Sequence, residues 1–263
     1  MRENALKKIW QAGGAVVNGW LTIPSPWAAE VMAHQGFDSL TIDTQHGPLG
    51  FDAAVPMLQA ISTTDVVPLM RVPWNEPGMI MKCLDAGAYG IICPMVNSRE
   101  ECEAFVGAAR YFPQGYRSMG PTRVSVYAGE GYADRSNDTV LTFAMVETEQ
   151  ALNNLEEIVS TPGLDGVYVG PADLAITLGA EERSDYKDPE LVAILTRIAD
   201  ACKQHGIVAG IHCGSQEYAV TSIERGYQFV TVSSDTVFLA ARAKQVVDFV
   251  KGHGTTEAKA KIY

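Results

Sequence analysis

Acidic, basic and imidazole side chains stand directly after several apolar runs of this chain. The run at 39–42 leads into Asp43-Thr44-Gln45-His46-Gly47, and the run from Val66 to Met70 ends in Arg71. Glu147 follows the run at 140–146, and Gly170-Pro171-Ala172-Asp173 follows the run at 166–169. Glu147 and Asp173 form a candidate metal pair. Two carboxylates without an obligatory cation between them repel, and a divalent ion neutralises them. An all-oxygen site completed by water suits Mg²⁺ or Mn²⁺. Either carboxylate taken alone also reads as a cap of the helix it precedes; the pair on adjacent strand ends favours the metal.

His46, beside Gly47-Pro48, reads as a general base or equally as a hydrogen-bonded surface histidine. His34 and His205 sit at helix ends and read as structural, while His212, ending a later apolar run, ranks second as a site residue. Arg71 closes an apolar strand and needs an anionic partner. It is either a clamp on a substrate oxyanion or an ion-pair partner of Asp43 or Glu147, and the first is favoured because those carboxylates are site candidates themselves. Gly170-Pro171-Ala172-Asp173 opens a short helix whose free N–H groups suit a carboxylate or phosphate. No Walker loop, G-x-G-x-x-G turn or G-x-S-x-G elbow occurs. Lys82 and the lysines near the C-terminus do not follow strands, which speaks against a Schiff-base aldolase.

The elements that position these groups recur as helix, glycine, strand. Gly36, Gly87, Gly206 and Gly226 each precede an apolar run. A glycine past a helix end closes a C-cap in the left-handed conformation. Repeats of that unit predict a parallel sheet with crossover helices, whose chemistry gathers at the C-terminal ends of the strands. Strands are expected near 15–22, 39–43, 66–72, 89–94, 140–146, 166–170, 207–212 and 227–233. Ser25 with Pro26, Asn75, and Ser98 with Glu101 are expected helix caps. Helices are expected near 51–62, across 151–159, from Pro189 to about His205, and at 236–251. Continuous apolar runs fit strands buried on both faces. Eight such units predict one closed (β/α)8 barrel over residues 1–263, with an open doubly wound sheet as the alternative. The stretch 113–138 reads as a long irregular insertion of functional interest, and 252–263 as a small polar tail that frays.

The formal net charge of −11 argues against nucleic acid and anionic membrane as partners. Without an apolar run of membrane-spanning length or a signal peptide, a cytoplasmic protein is expected. Five cysteines without a C-x-x-C pair read as reduced, mostly buried thiols.

The chain resembles the class II, metal-dependent pyruvate aldolases of the HpcH/HpaI aldolase/citrate lyase family. The resemblance runs from about Gly13 to Phe249. It rests on Asp43-Thr44-Gln45-His46, Arg71-Val72, Leu84-Asp85-Ala86-Gly87-Ala88, Pro94-Met95-Val96, Ala109-Arg110-Tyr111 with Gly115-Tyr116-Arg117-Ser118, Val146-Glu147-Thr148 and Val169-Gly170-Pro171-Ala172-Asp173-Leu174. It implies a TIM barrel that pairs by exchanging its eighth helix, often as a homohexameric trimer of dimers. It implies ligation of Mg²⁺, Mn²⁺ or Co²⁺ by Glu147 and Asp173. Arg71 would hold the keto oxygen of the 2-oxo acid, and the N–H groups of Ala172 and Asp173 its carboxylate. His46, oriented by Asp85, would relay protons together with a water. Arg123 would contact the distal group of the aldehyde, in its own or a neighbouring subunit. The implied reaction is reversible cleavage of a 4-hydroxy-2-oxo acid to pyruvate or hydroxypyruvate and an aldehyde.

Met145 departs from the pattern, because a polar Gln is expected two residues before the metal-binding glutamate. That shifts the expectation towards hydroxypyruvate or short sugar-like aldehydes. Two rivals remain: a lyase of the same barrel type that cleaves a CoA thioester, which would want a basic groove, and a non-catalytic metal-binding barrel.

Overall fold

The computed structural model describes residues 1–252, so all but the first residue of the expected tail lies outside the described residues. The chain runs through α1 (Ala5–Gln11), β1 (Val16–Leu21), α2 (Pro26–Ala33), β2 (Ser39–Asp43), α3 (Phe51–Ile61), β3 (Val67–Arg71), α4 (Pro77–Asp85), β4 (Gly90–Cys93) and α5 (Arg99–Ala109). It continues through α6 (Thr122–Ala128), α7 (Tyr132–Thr139), β5 (Leu141–Val146), α8 (Glu149–Asn153), α9 (Leu155–Val159), β6 (Gly166–Val169) and α10 (Pro171–Thr177). It closes with α11 (Pro189–His205), β7 (Val208–Cys213), α12 (Gln216–Glu224), β8 (Phe229–Val232) and α13 (Asp235–Lys251). Each strand pairs in parallel with the next, and β8 pairs with β1, so the sheet is a closed eight-stranded barrel. The open sheet is excluded by that last pairing.

Local chemistry sets the boundaries. Ser25 and Ser98 accept backbone hydrogen bonds from Ala28 and Glu101 and so start α2 and α5. Proline occupies the first turn of α2, α4, α10 and α11, where no N–H is needed. Gly36, Gly87, Gly206 and Gly226 all take positive φ, as the repeated helix–glycine–strand pattern requires.

Strand side chains alternate between the barrel interior and the helix layer. Phe143, Met145 and Glu147 therefore share one row, as do Tyr168 with Gly170 and His212 with Gly210. Near the bottom of the barrel Phe143 stacks on Phe229, and Trp10 of α1 meets both edge-on. Gly166 leaves room for that stack, since a Cβ there would lie 2.6 Å from Phe143. The middle layer is polar and internally satisfied. Asn18 donates to Thr231, and Ser39 and Thr41 donate to Asn18.

Three expectations need correction. Residues 113–138 are irregular only in their first part: 113–121 form no helix or strand, and α6 and α7 follow, on the face where strands begin. The helix expected across 151–159 breaks at Asn154, whose amide donates to the Asn97 carbonyl at 2.7 Å. Glu76 caps α4 in place of Asn75, whose amide reaches the Glu101 carbonyl. The last helix lies where it is expected, and α13 stands away from the barrel of its own chain. Its one buried residue is Asp235, which accepts from the backbone of Thr22 and Ile23. All five cysteines are free and buried. Among the described residues no helix is long and apolar enough to cross a membrane.

Candidate active site

A cleft of about 230 Å³ opens at the C-terminal ends of the strands, where a barrel of this kind carries its chemistry. A larger depression, about 420 Å³, lies at the opposite end near Gly13 and Gly226, away from the candidate acid, base and metal-binding groups.

Asp43 and Arg71 end adjacent strands in direct register and both face inward. Arg71 grips Asp43 through two parallel bonds, Nε–Oδ1 at 2.9 Å and Nη2–Oδ2 at 2.6 Å. The Trp20 indole N–H donates to the same carboxylate at 3.2 Å, and its ring lies 4.9 Å from the guanidinium carbon. Backbone N–H groups of Gln45 and His46 also point at Asp43. Burial works to raise the Asp43 carboxyl, but the Arg71 hydrogen bond and charge outweigh it and hold the group below its usual range. The sequence left two partners open for Arg71; it pairs with Asp43, and its guanidinium still lines the cleft.

Glu147 is buried one residue past β5. Its Oε1 accepts the Met95 N–H at 2.8 Å, from a turn in which Met95 takes φ 55°. Its Oε2 faces Gly170, where any Cβ would come within 2.5 Å of it. Gly170 is thus required by close approach. Burial pushes the Glu147 carboxyl up to about 7; the Met95 N–H opposes this, the Asp173 charge adds to it, and Arg71 opposes it. Asp173 lies in the first turn of α10, after Pro171. No described Lys or Arg forms an ion pair with Glu147 or Asp173.

Two carboxylates in electrostatic contact and without a cationic partner fit a hard divalent ion with oxygen ligands. Among the described residues no group of three or more His, Cys, Asp or Glu could hold a metal. The two carboxylates would therefore need water or substrate oxygens to complete the shell.

His46 lines the cleft from an exposed turn after β2. His212 lines it from β7, with its ring edge-on to Trp20 and its Nδ1 3.3 Å from the Tyr168 hydroxyl. The cleft thus gathers His46, Arg71, Glu147, Gly170, Pro171, Ala172 and Asp173. Asp43 sits behind Arg71.

Asp85 and Arg123 are not part of this cleft. Asp85 ends α4, at the face where β4 begins, and Arg117 holds it at 2.6 Å. It does not orient the His46 of its own chain. Arg123 donates to the carbonyls of Ala86 and Leu58 and to the Ser62 hydroxyl, tying α6 to the ends of α3 and α4. Both belong to the opposite end of their own barrel, since the crossover helices run from strand ends back to strand starts.

The residue-by-residue reading passed over Trp20, Tyr168 and Met95. Trp20 and Tyr168 were findable by counting in twos along β1 and β6 from the polar layer. Met95 contributes only its backbone, which leaves no side-chain signal.

The family model described as HpcH/HpaI aldolase/citrate lyase matches residues 18–242, which run from within β1 into α13 and include all of these groups. The chain belongs to that family. It is an enzyme, a carbon–carbon lyase of the aldolase type. A hydroxypyruvate/pyruvate aldolase of Rhizorhabdus wittichii is 41% identical over 93% of this chain and 97% of the relative. A 4-hydroxy-2-oxo-heptane-1,7-dioate aldolase of Klebsiella pneumoniae is 34% identical over 97% of this chain and 96% of the relative. Among solved structures, an HpcH/HpaI family protein of Burkholderia cenocepacia superposes with a TM-score of 0.87 at 31% identity, covering 94% of this chain and 99% of that one.

Proposed function

We propose that this enzyme reversibly cleaves 4-hydroxy-2-oxo acids to pyruvate or hydroxypyruvate and an aldehyde, with a divalent cation held by Glu147 and Asp173. The observation that carries the reading is the unpaired carboxylate couple beside a guanidinium fixed in place by Asp43. The relatives named for hydroxypyruvate, pyruvate and heptanedioate substrates support it. Mg²⁺, Mn²⁺ and Co²⁺ all suit the oxygen donors. When bound, such a cation would supply positive charge that stabilises the developing enolate.

The chain's own groups do the rest. Breaking the C3–C4 bond leaves an electron pair that spreads onto the keto oxygen as an enolate. Arg71 faces that oxygen with a guanidinium that Asp43 holds rigid, so the developing negative charge meets a dipole already oriented. The first turn of α10, after Pro171, offers N–H groups of Ala172 and Asp173 that lack intrahelical acceptors, and these receive the substrate carboxylate. During cleavage His46 takes the proton from the C4 hydroxyl and a proton is delivered to C3 of the enolate, giving the 2-oxo acid; in synthesis a C3 proton is removed and the new alkoxide is protonated. Met145 and Trp20 give the cleft its apolar walls.

Assembly follows from α13. Phe238, Leu239 and Val250 on that helix are 40%, 64% and 69% exposed, an arrangement that a second copy of the chain would cover by exchanging helices. A hexamer would be a trimer of such pairs, built through a further interface. Any contribution of Asp85 or Arg123 to a cleft is then made across a subunit boundary. Sedimentation velocity should show dimers or larger, and Leu239→Glu with Val250→Glu should shift them towards monomer; a monomeric wild type contradicts the exchange. Five free, buried thiols suit a reducing cytoplasm.

The direct test is to incubate 4-hydroxy-2-oxo acids with the enzyme and Mg²⁺ or Mn²⁺ and to follow pyruvate release with a coupled dehydrogenase. Release that stops on chelation supports the reading. Folded enzyme that binds the cation yet cleaves none of a panel of such acids refutes it.

A further inference from the structure

Tyr168 and His212 form a polar wall of the cleft that the aldolase reading does not use. Tyr168 spends its hydroxyl proton on Thr231 Oγ1, at 2.8 Å. Thr231 Oγ1 also accepts from the Asn18 amide at 2.9 Å, so that oxygen is fixed by the polar layer of the barrel. With its proton committed, the Tyr168 oxygen can only accept from His212, whose Nδ1 lies 3.3 Å away. The proton of the neutral imidazole therefore sits on Nδ1, and Nε2 is left as an acceptor. Burial, helped by the nearby Arg71 charge, pulls the His212 imidazole down to about 4, which keeps it neutral near pH 7. Trp20 lies edge-on to the imidazole, but its indole N–H is engaged by Asp43, and no described residue donates to Nε2.

The other cleft groups have different tasks. Arg71 and the first-turn N–H groups of α10 are donors, and Glu147 and Asp173 would hold the cation. A neutral acceptor among them is suited to a substrate hydroxyl.

We propose that His212 selects hydroxylated substrates, its Nε2 accepting a hydrogen bond from a hydroxyl next to the reacting carbons. That hydroxyl is borne on C3 of the 2-oxo acid, as in hydroxypyruvate, or on C2 of the aldehyde, as in glycolaldehyde. The proposal rests on the aldolase reading and adds a specificity residue to it. A bare methyl in the same place leaves Nε2 without a partner, so the hydroxylated substrate is preferred.

Three pairs separate the two sources: pyruvate with acetaldehyde, hydroxypyruvate with acetaldehyde, and pyruvate with glycolaldehyde. His212→Leu should lower kcat/KM about tenfold for the pair whose hydroxyl meets Nε2, and less than about twofold for pyruvate with acetaldehyde. His212→Gln, which keeps an acceptor oxygen, should recover part of the loss. Equal losses in all three pairs, or none in any, would overturn the proposal. A second readout does not depend on turnover. In ¹⁵N spectra of histidine-labelled enzyme, with the signals assigned by their loss in His212→Leu, His212 should show a protonated Nδ1 and a bare Nε2 near pH 7. The opposite tautomer, or an imidazolium, overturns the acceptor role. A wild type that turns over no pair but shows the expected tautomer would refute the aldolase reading, and the substrate assignment with it, while leaving the acceptor in place.

Discussion

Replacing Asp43 by Asn tests whether Arg71 depends on it. In the folded chain the Asp43 side chain is 2% exposed and that of Arg71 11%, and two parallel bonds join them. Asn keeps one acceptor oxygen but turns an N–H₂ group towards a guanidinium that has only N–H groups. Losing one partner of a buried pair costs about 3–5 kcal/mol. With one acceptor retained, we expect about 2–4 kcal/mol, read as a lower urea midpoint at pH 7. The guanidinium should also leave its position beside the keto oxygen, and kcat/KM should fall about 100-fold. The pH dependence gives a further check. The Asp43 carboxyl titrates lower in the folded chain than in the unfolded one. Its contribution is therefore complete above the unfolded value of about 3.9 and fades as pH falls through the folded value. The gap between wild type and variant should narrow in acid. A variant as stable and as active as wild type at pH 7 would refute the argument that Asp43 anchors Arg71.

Three further outcomes follow from the geometry. Without a cation, the Glu147 carboxyl titrates at about 7 in the folded chain, above its unfolded value, so the cation-free enzyme should lose stability as pH rises from about 4.5 to about 7; Glu147→Gln should remove that slope in chelated melts and abolish the Tm increase on adding Mn²⁺, and an unchanged slope would show that another group titrates. His46→Ala should cost about 10²–10⁴ in kcat while Mn²⁺ binding by calorimetry stays unchanged; full turnover would remove His46 from proton transfer. Gly170→Ala would place a Cβ 2.5 Å from Glu147 Oε2 and 3.0 Å from the Met145 methyl, so it should weaken Mn²⁺ binding and cost about 1–3 kcal/mol of stability; wild-type values for both would mean that the Glu147 carboxylate swings freely.

Much of the barrel was legible because its signals are local. A serine before Pro26 or Arg99, and a glycine before each of four apolar runs, mark boundaries through backbone chemistry alone. The strand-end rule then placed His46, Arg71, Glu147 and Asp173 on one rim, and the structure has them there. What was not legible shares a physical cause as well. Asp85 and Arg123 entered with the family resemblance; α4 and the stretch after α5 deliver them to the bottom of their own barrel, and no local signal in the sequence says which copy's cleft they could reach. Asp43 and Arg71 are matched across adjacent strands, a register that only the folded sheet reveals. The Met95 N–H is a backbone donor and leaves no trace in residue type. The apolar side chains of α13 stand in the open on a single chain. A periodicity records that a face is to be covered, not by which copy of the chain.

The central claim is that Glu147, Asp173 and Arg71 together stabilise the enolate of a 2-oxo acid. Exchange of the pyruvate methyl protons in D₂O, followed by ¹H NMR, measures that step without any aldehyde. The account predicts exchange with Mg²⁺ or Mn²⁺, none after chelation, and none in Glu147→Gln. Folded, cation-loaded wild type that exchanges neither the pyruvate methyl protons nor the C3 protons of hydroxypyruvate would contradict it.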